Sequence, residues 1–253
     1  MEPLAALPSV PDDRLTVGGE VAAALLARIA ATHGLSVCDW SADGAEAGTV
    51  KSAPSILLTL RATEREMRLA LGLGSRAIIE IGDDETALPV ELPLRLKADG
   101  GLHLSLSTAT AFSLDMTPVL CDVLLSRGWL AAPRRADAEI CLQEALSNAV
   151  IHGNLSVDAG SVGDAASFER FFTLVHARLA DRRHASRRIM VTARAGDGLH
   201  LSVMDQGDGH AGLVMRPVEM TAKSGRGIRI MHDLADHVRF SDGGRRVHLH
   251  FQP

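Results

Sequence analysis

Residues 139–154, E-I-C-L-Q-E-A-L-S-N-A-V-I-H-G-N, constrain the fold of this chain more than any other segment. On a helix with 3.6 residues per turn, Glu144, Asn148 and His152 recur every fourth residue and line one face. Leucine and alanine side chains occupy the other faces and can pack inward. The segment therefore predicts an apolar helix with one polar edge. Taken alone, such an edge is more often a solvated face than a ligand site.

Two glycine-rich segments follow this helix. Residues 199–205 alternate apolar and polar side chains, which predicts a strand that ends in Asp205, and residues 206–209 (Q-G-D-G) then predict a turn. Residues 224–227 (S-G-R-G) precede a second run with helical spacing. Its apolar positions are Ile228, Met231, Leu234, Ala235 and Val238. The pattern predicts a glycine loop that leads into a helix N-terminus.

Each of the three segments has a role if the ligand is a nucleotide. Unpaired N–H groups and the helix dipole at residues 225–227 would attract phosphate. The carboxylate of Asp205 could accept a hydrogen bond from an exocyclic amine such as that of adenine. Asn148 offers an oxygen ligand of the kind that Mg²⁺ prefers. Glu144, one turn away, is placed to accept a proton or to orient a nucleophile.

These three segments, in this order, resemble the GHKL ATP-binding fold of sensor histidine kinases, DNA gyrase, heat-shock chaperones and DNA-mismatch-repair ATPases. The motifs E-A-L-S-N-A-V-I-H-G-N, D-Q-G-D-G and S-G-R-G-I-R-I-M-H-D-L-A-D-H-V resemble more closely the anti-sigma-factor serine/threonine kinases of bacterial partner-switching systems. The resemblance covers residues 107–253. It implies an α/β sandwich of the Bergerat type with a mixed sheet, and it implies ATP and Mg²⁺ as cofactors.

The resemblance also implies a role for each motif residue. Glu144 would be the catalytic base, Asn148 the Mg²⁺ ligand, and Asp205 the residue that reads adenine. The other expected nucleotide-binding residues are His152, Gly153, Gly207, Gly209, Lys223, Gly225, Arg226 and Gly227. We expect His152 to support the site beside Gly153 rather than to accept phosphate. Walker-type P-loops and the protein-kinase signature set are absent from the sequence.

The segment between the two glycine motifs departs from the family pattern. Residues 210–224 form a short candidate lid, and the cations Arg216, Lys223 and Arg226 could neutralise phosphate charge or lie on the solvated surface. Asp208 adds a negative charge between Gly207 and Gly209, where relatives commonly have a small or cyclic residue.

A predicted helix at residues 167–184 looks like an insertion into the ATP-binding unit. Phe168, Phe171, Phe172, Val175 and Leu179 recur there at helical spacing. Core packing is the favoured interpretation, and a docking surface for a partner protein is the alternative.

The N-terminal part of the chain predicts alternating strands and helices, which favours a parallel α/β sheet. The expected strands are residues 15–18, 35–38, 55–60, 77–81 and 92–97, and the expected helices are residues 20–32 and 64–71. This pattern resembles a response-regulator receiver. Residues 56–61, at the third strand and its end, contain no phosphoacceptor Asp, however, and Lys97 at the end of the predicted fifth strand lacks its usual partners. We therefore expect an N-terminal tail at residues 1–11, a degenerate receiver-like domain at 12–100 and an ATP-binding domain at 101–253.

Composition and charge exclude several other classes of protein. A net charge of −5 with 3% aromatic residues provides no basic, stacking surface for nucleic acid. The sequence has no long apolar run and no signal peptide, so we expect a cytoplasmic protein without a membrane segment. Cys38, Cys121 and Cys141 lack C-x-x-C spacing and are expected to be small buried hydrophobes.

Several histidines alternate with apolar residues in predicted strands. They are His103, His200, His248 and His250. If these strands are neighbours, the imidazoles could share a face and resemble a metal site. A solvent-facing row on a one-sided sheet is the favoured interpretation.

The sequence thus predicts an ATP- and Mg²⁺-binding regulatory protein, most similar to an anti-sigma-type serine/threonine kinase. Its expected partner is an anti-anti-sigma-like substrate or a sigma factor, and a homodimer is a further option. One alternative is a non-catalytic, nucleotide-gated module that sequesters a sigma factor or signalling protein. The other is a histidine-kinase-derived phosphotransfer protein, for which His33 is the one candidate found in an N-terminal helix.

Overall fold

The protein is described here by a computed structural model that covers residues 15–82, 92–157, 165–209 and 226–253. Within these residues, nine strands form one mixed sheet. The strands are β1 (Thr16–Gly18), β2 (Ser36–Val37), β3 (Ile56–Thr59), β4 (Ala77–Glu80), β5 (Leu102–Ser107), β6 (Arg188–Ala195), β7 (Leu199–Met204), β8 (His237–Ser241) and β9 (Arg246–Phe251). Their order is β2-β1-β3-β4-β5-β6-β7-β9-β8.

Helices pack against both faces of this sheet. They are α1 (Ala23–His33), α2 (Ala42–Glu46), α3 (Glu64–Gly72), α4 (Leu92–Asp99), α5 (Thr108–Ser113), α6 (Met116–Ser126), α7 (Arg135–Ser147), α8 (Ala165–Ala180), α9 (Arg182–Ala185) and α10 (Arg226–Leu234). A π-helix at Asn148–Asn154 continues α7 directly. Side-chain caps fix several N-termini, as where the hydroxyl of Thr63 accepts from the N–H of Glu66 at the start of α3. None of the described helices is both long and apolar enough to span a bilayer.

The two halves of the sheet follow different hydrophobic patterns. Strands β1 to β5 are parallel, and Ile56, Leu57 and Leu58 in β3 are all 0% exposed, as expected for a strand covered on both faces. Strands β6 to β9 are antiparallel, and β6 and β9 alternate half-buried with buried residues along most of their length. The antiparallel half therefore packs only one face against the core.

Two apolar cores lie on opposite faces of the sheet. The larger core runs along the sheet from β3 to β9 and joins it to α3, α6, α7 and α10. The smaller core joins α1 and α4 to the parallel strands alone. Beyond β5, the second face of the sheet presents polar residues, which leaves one apolar face to support the helices that carry the sequence motifs.

The predicted strand at residues 92–97 is wrong, because this segment forms helix α4. Leu92 and Leu96, four residues apart, are both buried on one side of that helix. Pro93 stands in the first turn, where a helix needs no N–H donor. Lys97 is consequently an exposed helical residue and does not end a strand.

The fifth parallel strand is β5, which pairs with β4 on one side and with antiparallel β6 on the other. The sheet is therefore continuous across residue 100, where we predicted the boundary between the receiver-like and ATP-binding domains. The domain division itself stays a prediction. The predicted tail at residues 1–11 lies outside the described residues.

The Phe-rich helix is present as α8, but only part of its apolar stripe enters the core. Val175 is 0% exposed, and Phe171 and Leu179 pack against the main core. The prediction of core packing is wrong for Phe168 and Phe172, which are 56% and 39% exposed. Their rings contact each other, with 4.6 Å between the centroids.

Candidate functional site

Helix α10 contacts α7 where the second glycine motif meets the polar edge. A Cβ atom added to Gly227 would overlap Oε2 of Glu144 and lie 3.6 Å from Nδ2 of Asn148. Both polar side chains are half-buried. The missing side chain at residue 227 thus allows a carboxylate and a carboxamide to lie directly against the first turn of α10.

Contacts farther along the two helices fix this arrangement. Met231 is 0% exposed, and its carbonyl oxygen lies 4.0 Å from Sγ of Cys141 in α7. Arg134, just before α7, donates from Nη2 to the carbonyl of Leu234 at 2.9 Å and to Oδ2 of Asp236 at 3.0 Å. A guanidinium at the end of α10 also complements the helix dipole. The start of α7 and the end of α10 are therefore held together.

The polar row of the sequence does not continue as an ideal α-helix. From Asn148 to Asn154 the backbone is a π-helix, a conformation that is rare and often occurs at functional sites. Its wider turn displaces His152 from the regular spacing of the row. Nδ1 of His152 donates to the carbonyl of Val157 at 2.8 Å, so this imidazole anchors the chain that leaves the π-helix.

The π-helix brings Gly153 against the end of strand β7. A Cβ at Gly153 would lie 2.7 Å from both carboxylate oxygens of Asp205, and a Cβ at Gly207 would lie 2.9 Å from Cα of Gly153. The N–H of Gly207 donates to Oδ1 of Asp205 at 2.7 Å. Asp205 is only 6% exposed. Three residues predicted from separate motifs therefore form one closely packed junction.

Asn154 organises the same junction, and sequence reasoning did not select it as a site residue. Its side chain is 0% exposed, and its Oδ1 accepts from the N–H of Gln206 at 2.7 Å. Its Nδ2 donates to Oγ1 of Thr108 at 2.8 Å and to the carbonyl of Arg188 at 3.0 Å. The available sequence signal was an amide residue at the end of the apolar helical run, two positions after His152.

The remaining predicted site residues lie around this junction or outside the described part of the chain. Gly209 has φ +75°, and a Cβ there would approach the carbonyl of Gly243 to 2.6 Å. Asp208 is exposed, and so is Arg226 at the start of α10. The candidate lid at residues 210–224, with Lys223, and the neighbouring Gly225 fall outside the described residues.

An open groove of about 840 Å³ lies beside Glu144, between α7 and the segment that joins α5 to α6. Phe112 and Ile140 on its walls are 40% and 45% exposed. Glu139, Gln143 and Glu144 supply polar groups along the α7 side. The groove thus gives a solvent-side approach to the carboxylate that packs against Gly227. No sequence motif indicated it, because its walls come from different helices.

The buried cysteines have no part in this chemistry. Cys121 and Cys141 are both 0% exposed, and burial raises the pKa of each thiol to about 12. Both are therefore neutral, unreactive hydrophobes, as the sequence predicted. Cys38 is half-exposed, and burial raises its thiol pKa as well.

The family model described as "Histidine kinase-like ATPase domain" matches residues 116–251, from the first residue of α6 to the end of β9. The match includes the Glu144 helix, the Asp205 junction and α10. No curated protein matches the chain.

Proposed function

The chain belongs to the histidine kinase-like ATPase domain family, and on that basis we propose that it is an anti-sigma-type protein serine/threonine kinase. Membership in this family makes the chain an ATP-binding protein of the GHKL type. The serine/threonine kinase activity and its substrate class are our proposal. The contact of Gly227 with Glu144 and Asn148 carries the proposal. The carboxylate of Glu144, the proposed base, lies against the first turn of α10, and we propose that phosphate binds at that helix end.

The residues at this contact also fit Mg²⁺, the ion that GHKL domains typically use with ATP. Asn148 and Glu144 offer side-chain oxygens, which Mg²⁺ prefers, and it usually keeps several water ligands. Asn148 would hold the ion, which when bound neutralises charge on the phosphates. The half-buried position of both side chains leaves room for water on the solvent side.

In the proposed reaction, Asp205 accepts a hydrogen bond from the adenine amine, while Gly153 leaves no Cβ against the carboxylate and the N–H of Gly207 holds Oδ1. A serine or threonine hydroxyl of the partner enters from the groove beside Glu144. Its oxygen forms a bond to the γ-phosphorus as the bond to the β–γ bridging oxygen breaks. Glu144 takes the hydroxyl proton and ADP is the leaving group.

We further propose that the N-terminal part is a degenerate receiver-like unit used for protein contact or dimerisation. The strand order β2-β1-β3-β4-β5 supports it, because that order is typical of flavodoxin-like sheets. The end of strand β3, residues 59–61 (T-L-R), contains no acidic residue. Glu80 at the end of β4 is 4% exposed and accepts hydrogen bonds from Ser107 at 2.7 Å and Thr110 at 3.0 Å. A carboxylate tied in this way is unsuited to accept phosphate.

A phosphorylation assay tests the kinase proposal. Full-length protein is incubated with γ-labelled ATP, Mg²⁺ and candidate partners encoded beside its gene, and ATP affinity is measured separately. We expect a labelled partner with wild type and no label with Glu144→Gln, while both bind ATP. Glu169→Gln, an exposed substitution of the same kind on α8, should leave labelling unchanged.

The other outcomes separate the alternatives. If wild type binds ATP but labels no partner, the kinase proposal is wrong. A tight, nucleotide-dependent complex that persists in Glu144→Gln would instead support a sequestering module. An acid-labile label on the protein itself, lost in His33→Gln, would support histidine phosphotransfer.

A further inference from the structure

The turn between β6 and β7 lies at the opposite end of β7 from Asp205, roughly 20 Å away at the rise of a strand. Antiparallel pairing places His200 of β7 directly opposite His250 of β9. His250 is also opposite His237 of β8. Asp197, in the turn, lies three residues before His200. The open face of the sheet therefore gathers imidazoles and one carboxylate at this corner.

The ligand atoms of three of these residues lie close together. Nε2 of His200 is 2.6 Å from Oδ1 of Asp197, and Nε2 of His250 is 3.7 Å from the same oxygen. All three atoms are within 4.8 Å of one another. Their close approach results from the strand register and from the tight turn, in which the N–H of Gly196 donates to the carbonyl of Gly198 at 2.9 Å.

The environment of His250 favours a ligand other than the protein. Its side chain is 12% exposed, and its Nε2 is buried without a hydrogen-bond partner in the described part of the chain. A Cβ atom at residue 198 would lie 2.9 Å from Nε2 of His250. Glycine at this position therefore leaves open the space in front of that nitrogen. The ring of His237 stacks on His250 at 5.6 Å between centroids and holds its plane. A buried, unpaired ring nitrogen ordinarily costs free energy, which a bound cation would offset.

We propose that Asp197, His200 and His250 form a binding site for a divalent transition-metal ion, best suited to Zn²⁺. Zinc bonds of 2.0–2.2 Å to nitrogen and oxygen place tetrahedral ligand atoms about 3.3 Å apart. The two distances to the aspartate, 2.6 and 3.7 Å, lie on either side of that value, so a sub-ångström shift brings each histidine nitrogen to that distance from the aspartate oxygen. Asp197 is 80% exposed, which leaves the remaining position open to water. Two imidazoles and one carboxylate favour zinc over Mg²⁺, which prefers oxygen ligands.

A binding measurement with the metal alone tests this site. Full-length protein is treated with chelator, and Zn²⁺ is titrated calorimetrically into wild type, Asp197→Asn and His250→Gln. We expect one ion per chain in wild type and at least about tenfold weaker binding in each variant. His248→Gln is the matched control, since Nε2 of His248 already pairs with Oγ of Ser241 at 2.9 Å. Circular dichroism and ATP affinity should match wild type in all three variants, which separates this site from the proposed kinase site.

Two further readouts guard against misfolded variants and nonspecific binding. Zn²⁺ should raise the melting temperature of wild type and His248→Gln but not of His250→Gln, because a ligand that binds only the folded state stabilises it. Visible absorption of Co²⁺ bound to wild type should disappear in Asp197→Asn. Absence of Zn²⁺ binding to folded wild type, or binding that both ligand variants leave unchanged, would overturn the proposal.

Discussion

Replacement of Gly153 by alanine tests the packing at the Asp205 junction. The new Cβ would lie 2.7 Å from both carboxylate oxygens of a side chain that is only 6% exposed. Asp205 also accepts from the N–H of Gly207 at 2.7 Å. The carboxylate therefore has little room to shift without breaking that hydrogen bond. We expect Gly153→Ala to displace Asp205.

Two opposing contributions set the change in unfolding free energy. Glycine to alanine within a helix ordinarily stabilises by about 1 kcal/mol. Overpacking a buried contact destabilises by about 1–3 kcal/mol. In an Asp205→Ala background the overlap disappears, so the same substitution should there stabilise the fold. The coupling free energy between Gly153→Ala and Asp205→Ala should thus be about 1–3 kcal/mol.

Nucleotide affinity provides the second measurement. If Asp205 reads adenine, loss of a hydrogen bond to a charged group weakens binding by about 1.5–3 kcal/mol, or at least tenfold in Kd. Urea unfolding followed by tryptophan fluorescence gives the stabilities, and titration with a fluorescent ATP analogue gives the affinities. Gly72→Ala is the matched control, because it also lies in a helix but a Cβ there meets no atom within 4 Å.

Gly153→Ala should differ from this control in both stability and ATP affinity. A gain in stability of about 1 kcal/mol with unchanged ATP affinity would mean that Gly153 does not constrain Asp205. A loss of stability that Asp205→Ala does not relieve would place the overlap elsewhere.

Three further predictions follow from other contacts. Asn154→Ala removes the three hydrogen bonds of a buried residue's side chain and should lower the free energy of unfolding by about 3 kcal/mol, measured by urea unfolding. Cys121 and Cys141, with thiol pKa values of about 12, should resist Ellman's reagent at pH 8 in the native protein and react in urea; native reaction of either would contradict their burial. Asp236 has a pKa lowered by the N–H of Gln252 and then by Arg134, so its contribution to stability is present above about pH 4 and is lost as pH falls through the lower folded pKa. In acid unfolding experiments, Asp236→Asn should reduce the fall in unfolding free energy over that pH range. An unchanged dependence on pH would count against the contacts of Asp236 with Gln252 and Arg134.

The sequence was a good guide where local pattern decides structure. Apolar alternation gave strand β7 with Asp205 at its end, and helical spacing gave α7, α8 and α10. It misled at residues 92–97, where a leucine at every second position favours a strand, although Leu92 and Leu96 also share one face of the helix that forms. It also extended the last helical run to Val238, which lies in β8, because apolar side chains continue beyond the end of α10.

The sequence by itself determined which chemical groups the protein has and the order in which they occur. Glutamate, asparagine, aspartate and two glycine motifs were sufficient to predict a nucleotide-binding unit, since each motif lies within one local element. The tertiary structure alone decided that Gly227 contacts Glu144 and that Gly153 contacts Asp205. It also decided that His200 faces His250. These contacts depend on a π-helix, on strand register and on the pairing of β4, β5 and β6, which packing between distant segments selects and no single segment encodes.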